Sequence, residues 1–497
     1  MKKILFIAAL LSTFHYPFST HLQAQDAVYK LLRQEWTVNA DGTSDYHYRH
    51  EVQILRNRAL TAYADKGETF VVYNPELEEL TVNEVYTLQK DGTRVEMPQN
   101  AFVYQLPSEC ADCGRFNHLR ELAMVHTGME LGCTIVVDYT LHRRYDLLYE
   151  YLPLTRECPV ERYEVKVQYP QDYDLNCDIA GLGYLPQDKV KRSELPGEGD
   201  AAVRTLLVSA DDLPQTPAEP YLPADIIPVL HLYNGVPVYT PAFDRQGLAE
   251  ANETINRLTD NGDAREVVAA IQGYVVDNIH LNAIAPARLG YRHATAAEVW
   301  QTGCGTATDK AVLLAAMLNE AGYPARVTGD RYDEVGVTID TMEYRLGVRR
   351  KGSMTLYGEA SDEVKTASLG ATVEAPLEAM EDGFYCLRLP EVSGAPSVKV
   401  ARLALVRTAP LQSSPCDLKS DMTYLLPKGV KLVGGSISRS LSFDGIGSVQ
   451  LSVKQSGKKL QVKRTLKLEQ SVVPVSDFSR YRQLLALWQD FDRLLLR

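Results

Sequence analysis

Residues 296–327 read AAEVWQTGCGTATDKAVLLAAMLNEAGYPARV. A Gly-rich turn, Gly303-Cys-Gly305, leads into Thr306, and Asp309 follows three residues later. That spacing resembles a capping box, with Asp in place of the usual Glu, and it predicts a helix start. Ala311 to Leu318 is apolar throughout, and Gly322 and Pro324 end the helix. Two further helices are expected before it, at Leu248 to Leu258 and Asp263 to Ile279. The second carries Val267, Ile271, Val275 and Ile279 at i, i+4 spacing. Strand-like segments follow from Arg326 to Val348 and from Met354 to Leu356. Helices followed by strands predict an α+β unit here.

Outward from this unit the pattern changes to period 2. Tyr163, Val165, Val167 and Tyr169 alternate with Glu164, Lys166 and Gln168, as in a half-buried antiparallel strand. Tyr46 to Leu55 and Thr134 to Leu141 are β-branched and aromatic. Asp41-Gly42 and Asp91-Gly92 mark turns. Residues 26–220 therefore read as an N-terminal β-sandwich domain. Seven prolines between Pro214 and Pro241 mark an extended stretch, with a Pro-rich linker at 221–242. The α+β unit occupies 243–375, and a C-terminal β domain 376–497. In the latter, Val449 to Val453 and Leu460 to Leu468 form a hairpin around Ser456-Gly457. A closing helix is expected, capped by Ser476, with Tyr481, Leu484, Leu485, Trp488, Phe491 and Leu495 along one side; such a stripe docks on its own domain.

The chain has 497 residues and a net charge of −12. That balance argues against a general nucleic-acid binder, which needs a basic face. Eight cysteines are too few for a disulfide scaffold. Lys2 and Lys3, the apolar run Ile4 to Leu11 and the small residue Ala24 predict a secretory signal peptide over 1–24. The run is too short to span ~30 Å of hydrocarbon, so no transmembrane segment is expected after cleavage. There is no P-loop, Rossmann glycine pattern or Ser nucleophile elbow.

Residues 245–370, centred on the quoted stretch, resemble the bacterial transglutaminase-like superfamily. In that family a Gly-rich turn leads to a Cys at a helix start, then an acidic-Lys pair, an apolar helix, Gly and a strand. The flanking regions resemble the N-terminal uncharacterised β domain and the C-terminal β domain that accompany such cores in Gram-negative envelope proteins. The resemblance implies a papain-like, transglutaminase-like α+β core between two β-sandwiches. A thiol at a helix N-terminus is activated by the helix dipole. A His takes its proton, an acid orients the His, and exposed N–H groups hold the oxyanion.

Laid on the motif, Gly303 and Gly305 form the turn and Asp309-Lys310 the acidic-Lys pair. The nucleophile position is then Ala307, whose methyl group cannot attack a carbonyl. By spacing, the base position falls near Tyr344 and the orienting acid near Glu359. The last His is His293, and the final 204 residues contain none. No catalytic residue is therefore assigned, and a catalytically degenerate core is expected. Trp300, Gly303 and Gly305 would line what remains of the cleft, which could bind a peptide, a peptidoglycan stem or a protein partner. A competing reading is an active Cys-dependent amidase, protease or transglutaminase that uses Cys304, with His280 or His293 as base.

Cys110 and Cys113 have C-x-x-C spacing, with His118 and His126 downstream. Zinc is one reading. In an exported protein a local Cys110–Cys113 disulfide is preferred, and no metal or cofactor is expected. Tyr46-His-Tyr-Arg-His50 could offer a sugar-stacking face, which would make the β domains a carbohydrate-binding or assembly module. Packing is the preferred role. Lys454, Lys458, Lys459, Lys463 and Lys467 are expected to solvate or protect a sheet edge. Location in the periplasm or at the outer-envelope surface follows from export.

Overall fold

The computed structural model describes residues 25–60, 69–181, 185, 187–195, 203–223, 226–242, 249–260, 262–329, 335–339, 344–351, 354–356 and 364–497. The expected signal peptide over 1–24 and the expected acid position Glu359 lie outside the described residues. For Tyr344 only the backbone is described, at the start of a strand.

The N-terminal region is built on an eight-stranded sheet. Its order is Val190–Leu195, Val203–Leu213, Val160–Pro170, Ala27–Val38, Ser44–Ile54, Thr134–Arg143, Glu78–Leu88 and Arg94–Glu96. Only Ala27–Val38 and Val160–Pro170 run parallel; the other pairs are antiparallel. The alternation read at residues 163–169 holds: Tyr163, Val165, Val167 and Tyr169 are buried. The Asp-Gly turns close two hairpins, with Gly42 and Gly92 at φ +85° and +90°. In that conformation only glycine escapes a steric cost.

Two three-stranded sheets complete this region. One joins Phe70–Tyr73, Arg120–Met124 and Phe102–Gln105; the other joins Asn176–Ala180, Val229–Tyr233 and Tyr149–Pro153. The second sheet corrects the linker expected over 221–242. Val229–Tyr233 is its central strand, paired on both sides. The residues just before the linker fasten to the far end of the chain. Arg407 pairs with Glu219 at 3.2 Å and donates to Pro220 O.

The central region contains helices α1 (Ala249–Thr259), α2 (Ala264–Asn278), α3 (Ala296–Thr302) and α4 (Ala307–Glu320). They accompany an antiparallel sheet of Ala325–Thr328, Gly336–Ile339, Tyr344–Gly347 and Met354–Leu356. Every residue of α4 from Ala307 to Leu318 is buried. A helix without a wet face must be the centre of its layer, and α4 packs on α2, α3 and the sheet.

The C-terminal sheet has the order Lys365–Glu374, Cys416–Leu425, Lys459–Leu468, Gly447–Ser456 and Ile437–Phe443. Lys365–Glu374 pairs parallel with Cys416–Leu425 along its whole length, so the C-terminal sheet begins ahead of the boundary expected at 376. The expected hairpin is present, with Ser456 opposite Lys459. Its second strand is interior to the sheet, so Lys463 and Lys467 protect no edge. They pair with Asp421 and Glu469 on the wet face.

Helix α5 spans Phe478–Gln489 and buries Tyr481, Leu484, Leu485 and Trp488 against this sheet. Its N-cap is Asp477, one residue beyond the expected Ser476. The chain does not end in that helix. Arg493–Leu496 is a strand paired with Tyr385–Arg388, so Leu495 belongs to a sheet and not to the helical stripe. Among the described residues, no helix is long and apolar enough to cross a membrane.

Candidate active site

The approach to α4 is a series of local constraints. Thr295 and Glu298 form a capping box that starts α3, and Gly303 ends it at φ +65°. Cys304 and Gly305 then run parallel to His280 and Leu281, tied by His280 N–H to Gly303 O at 2.7 Å and Asn282 N–H to Gly305 O at 2.9 Å. A Cβ on Gly305 would stand 2.7 Å from the Asp309 Cβ, so only glycine fits this turn. Thr306 is the N-cap of α4. Its hydroxyl accepts from Asp309 N–H at 3.1 Å, and its own N–H donates to Asp309 Oδ2 at 2.8 Å. The capping box read from Thr306 and Asp309 is thus present in both directions. Ala307 is the first residue of α4 and is fully buried.

Asp309 does more than cap. Its Oδ1 accepts from Ala294 N–H at 2.7 Å, and its Oδ2 also faces Arg115 Nη1 at 3.4 Å. The carboxylate is fully buried, while Arg115 comes from the N-terminal region. Lys310, the other half of the acidic-Lys pair, points to the C-terminal end of α2. Its Nζ donates to Ile279 O at 2.7 Å and Val276 O at 3.3 Å. A cation suits a helix C-terminus, yet burial pulls its pKa down to about 8. Among the described residues, Thr308 Oγ1 and Asn282 Oδ1 are buried without a hydrogen-bond partner.

Residues 109–119 of the N-terminal region pack against the turn that leads into α4. Cys304 is joined to Cys113 in a disulfide that spans 191 residues, with Cα atoms 6.1 Å apart. The expected Cys110–Cys113 disulfide is therefore incorrect: Cys110 is a free, buried thiol, pushed up to about 11 by burial. Around the bridge Cys110, Phe116, Leu119, Ile284 and Leu289 form a small apolar cluster. Asn282 Nδ2 donates to Glu109 O and Ala111 O, both at 3.1 Å, and pins this segment from the core side.

These contacts bear on the Cys304 alternative. A sulfur in a disulfide is not a thiolate, the reactive form. The two candidate bases are also unsuited. His280 is exposed. His293 donates from Nδ1 to Ala294 O at 2.9 Å and accepts Thr240 N–H at Nε2 at 3.2 Å, so both ring nitrogens are occupied. Of the proposed cleft residues, Gly305 is buried and Trp300 stacks on Tyr274 with ring centroids 5.5 Å apart. Gly303 is the C-cap of α3.

The other sequence candidates resolve as packing. Among the described residues, no group of three or more His, Cys, Asp or Glu is placed to hold a metal. His118 turns back to Arg115 O at 3.1 Å, and burial holds His126 down at about 4. Tyr46, Tyr48 and His50 do share one face, but that face is inside. All three are buried, and Tyr48 stacks on Tyr139 at 5.1 Å. Opposite them, His47 bridges Glu35 at 3.0 Å and Asp138 at 2.7 Å, and its hydrogen bond to Asp138 raises its pKa. Sequence reasoning missed Arg115, Asn282 and the Cys113–Cys304 link. All three act across a boundary that no local pattern crosses.

Three family models match the chain in succession. Residues 40–213 match a domain of unknown function, DUF3857, residues 251–364 the transglutaminase-like superfamily, and residues 400–496 a second domain of unknown function, DUF3858. Among curated proteins none matches. One similar solved structure is a protein from Parabacteroides distasonis named as a candidate protease. It is 24% identical, covers 95% of this chain and 99% of its own, and superposes with a TM-score of 0.72. Agreement at that identity is agreement in fold. An M1 zinc metallopeptidase from Deinococcus radiodurans is 10% identical over 47% of this chain and 54% of its own, with a TM-score of 0.20, too low to bear on this site. The chain therefore carries a region similar to the transglutaminase-like core at 251–364, preceded by a match to DUF3857 and followed by a match to DUF3858.

Proposed function

We propose that this is an exported envelope protein whose transglutaminase-like core no longer catalyses and instead binds a peptide, a peptidoglycan stem or a protein partner. The observation that carries the reading is Ala307. It is the first residue of α4, the position that the resemblance assigns to the family's thiol, and it is fully buried within the core of the central region. The nearest sequence substitute, Cys304, is bonded to Cys113. Covalent catalysis of this type needs a free nucleophile paired with a base, and neither is supplied.

Export is supported by the basic start and apolar run at the N-terminus. It is supported again by a long-range disulfide, which persists in oxidising compartments. A peptide is favoured as ligand by the family's amide chemistry and by the relative named as a candidate protease. The flanking regions are read as β-sandwich-type domains that hold the core, with α5 closing the second. Binding of peptidoglycan stem peptides and of glutamine-containing peptides to residues 25–497 tests the proposal, followed by fluorescence anisotropy and by amine release. Saturable binding without amine release supports it. Amine release above the buffer rate overturns it.

A further inference from the structure

A second site lies far along the sequence from Ala307, in the DUF3858 region. A cavity of about 830 Å3 opens between the segment Leu389–Lys399, the end of α5 and the last strand, Arg493–Leu496. Four cations line it: Arg388, Lys399, Arg464 and Arg493. Two carboxylates, Glu391 and Asp492, line it as well, which leaves the wall with an excess of positive charge.

Arg464 is the unusual member. It is only 4% exposed, on the interior strand Lys459–Leu468. Its Nη2 donates to Pro390 O at 2.7 Å and its Nη1 to Phe491 O at 3.3 Å, while Nε is buried without an acceptor among the described residues. The guanidinium lies 4.8 Å from the Trp488 ring centroid. Among the described residues no carboxylate comes within ion-pair distance of it. Asp492 acts on it from beyond that distance and answers its charge only in part; a guanidinium cannot shed its proton in a protein, and a buried charge that is incompletely paired is costly.

The strand pair beside it adds a second, independent conflict. Arg388 and Arg493 stand directly opposite each other in the antiparallel pair. Like charges in that position repel. Arg388 is partly answered by Glu378 at 2.9 Å. Arg493 and Lys399 have no ion-pair partner among the described residues. An anion in the cavity would relieve both conflicts at once, and arginine forks match the planar oxygens of carboxylate or phosphate.

We infer that this cavity is a binding site for an oxyanion, carboxylate or phosphate, carried on a ligand that rests against Trp488. The inference does not depend on the catalytic state of the core. The test is isothermal titration of residues 25–497 at low salt with three probes: inorganic phosphate, trialanine with a free C-terminal carboxylate, and trialanine amide. The same titrations on Lys399→Ala/Arg493→Ala, two exposed positions, and on Arg464→Met separate site from surface. Saturable binding of phosphate or free trialanine, at least tenfold weaker in the double variant, supports the site and identifies which oxyanion it prefers. Binding of the amide equal to that of the acid overturns it. So does oxyanion binding that the double variant leaves unchanged, or the absence of binding by both oxyanions. Should Arg464→Met fail to fold, the double variant decides alone.

Discussion

The seam around Ala307 and the cavity around Arg464 treat buried charge in opposite ways. At the seam, Asp309 accepts from Ala294, Thr306 and Arg115, and Lys310 donates to two carbonyls at the end of α2. A disulfide then bonds Cys304 to Cys113. At the cavity, Arg464 is almost as deeply placed but, among the described residues, has no carboxylate within ion-pair distance, and Arg388 is opposed by Arg493. The start of α4 is tied to the N-terminal region by a disulfide and by Arg115. The charge left incompletely paired, a feature of many ligand sites, sits in the C-terminal region.

That contrast breaks first at Asp309. Asp309→Ala removes a buried carboxylate with three donors and should cost about 3–5 kcal/mol, read as a fall in the urea midpoint with loss of α4 protection in amide exchange. A change below about 1 kcal/mol would mean that the seam is not held as described. Next is the disulfide. Cys304→Ser opens a loop of 191 residues and should cost about 2–5 kcal/mol. Cys110→Ala, at a free thiol, should cost less than about 2 kcal/mol. If Cys110→Ala proves the more damaging, the C-x-x-C pairing is the true one. Peptide mapping without reductant reports the same choice directly, as a peptide joining Cys113 to Cys304.

Lys310 sharpens the comparison through pH. Its folded pKa of about 8 lies below its ordinary value of 10.5, so between those values the unfolded chain holds more protons than the folded one. Stability must then rise with pH across that window; below it both states are protonated and the cost of burying the charge is constant. Relative to wild type, Lys310→Met should lose this rise. Parallel urea midpoints from pH 7 to 10.5 in the two proteins would contradict the account of Lys310 as a charge held at a cost. The smallest effect is expected at Ala307. Ala307→Cys adds one sulfur to a packed turn, at about 1–3 kcal/mol, and should still release no amine from a glutamine peptide, because no His follows His293.

Local patterns were legible where neighbours in sequence do the work. The Thr306–Asp309 box, the stop at Gly322 and the alternation of residues 163–169 are each read within a few positions, and each is in the fold. Elements that depend on distant partners were not. Lys365–Glu374 is exposed along most of its length, so it lacks the alternation that marks a strand. Its order comes from Cys416–Leu425, which it joins in parallel. Val229–Tyr233 was concealed by the prolines around it, although its His231 and Leu232 pair on both sides. Cys113 was misassigned because Cys110 is close in sequence, while Cys304 is close only in space. The place of Ala307 at the start of α4 was legible because the Thr306–Asp309 box fixes where the helix begins. The contacts of residues 109–115 with Cys304, Asp309 and Asn282 were not, since they come from a distant part of the sequence.

The most direct test of the central claim is intact-mass spectrometry of residues 25–497, oxidised, after incubation with an excess of a glutamine-peptide acyl donor. The account predicts an unchanged mass, with Cys113 and Cys304 still joined to each other. A mass increase equal to the acyl group, mapped to Cys304 and absent from Cys304→Ser, would contradict it.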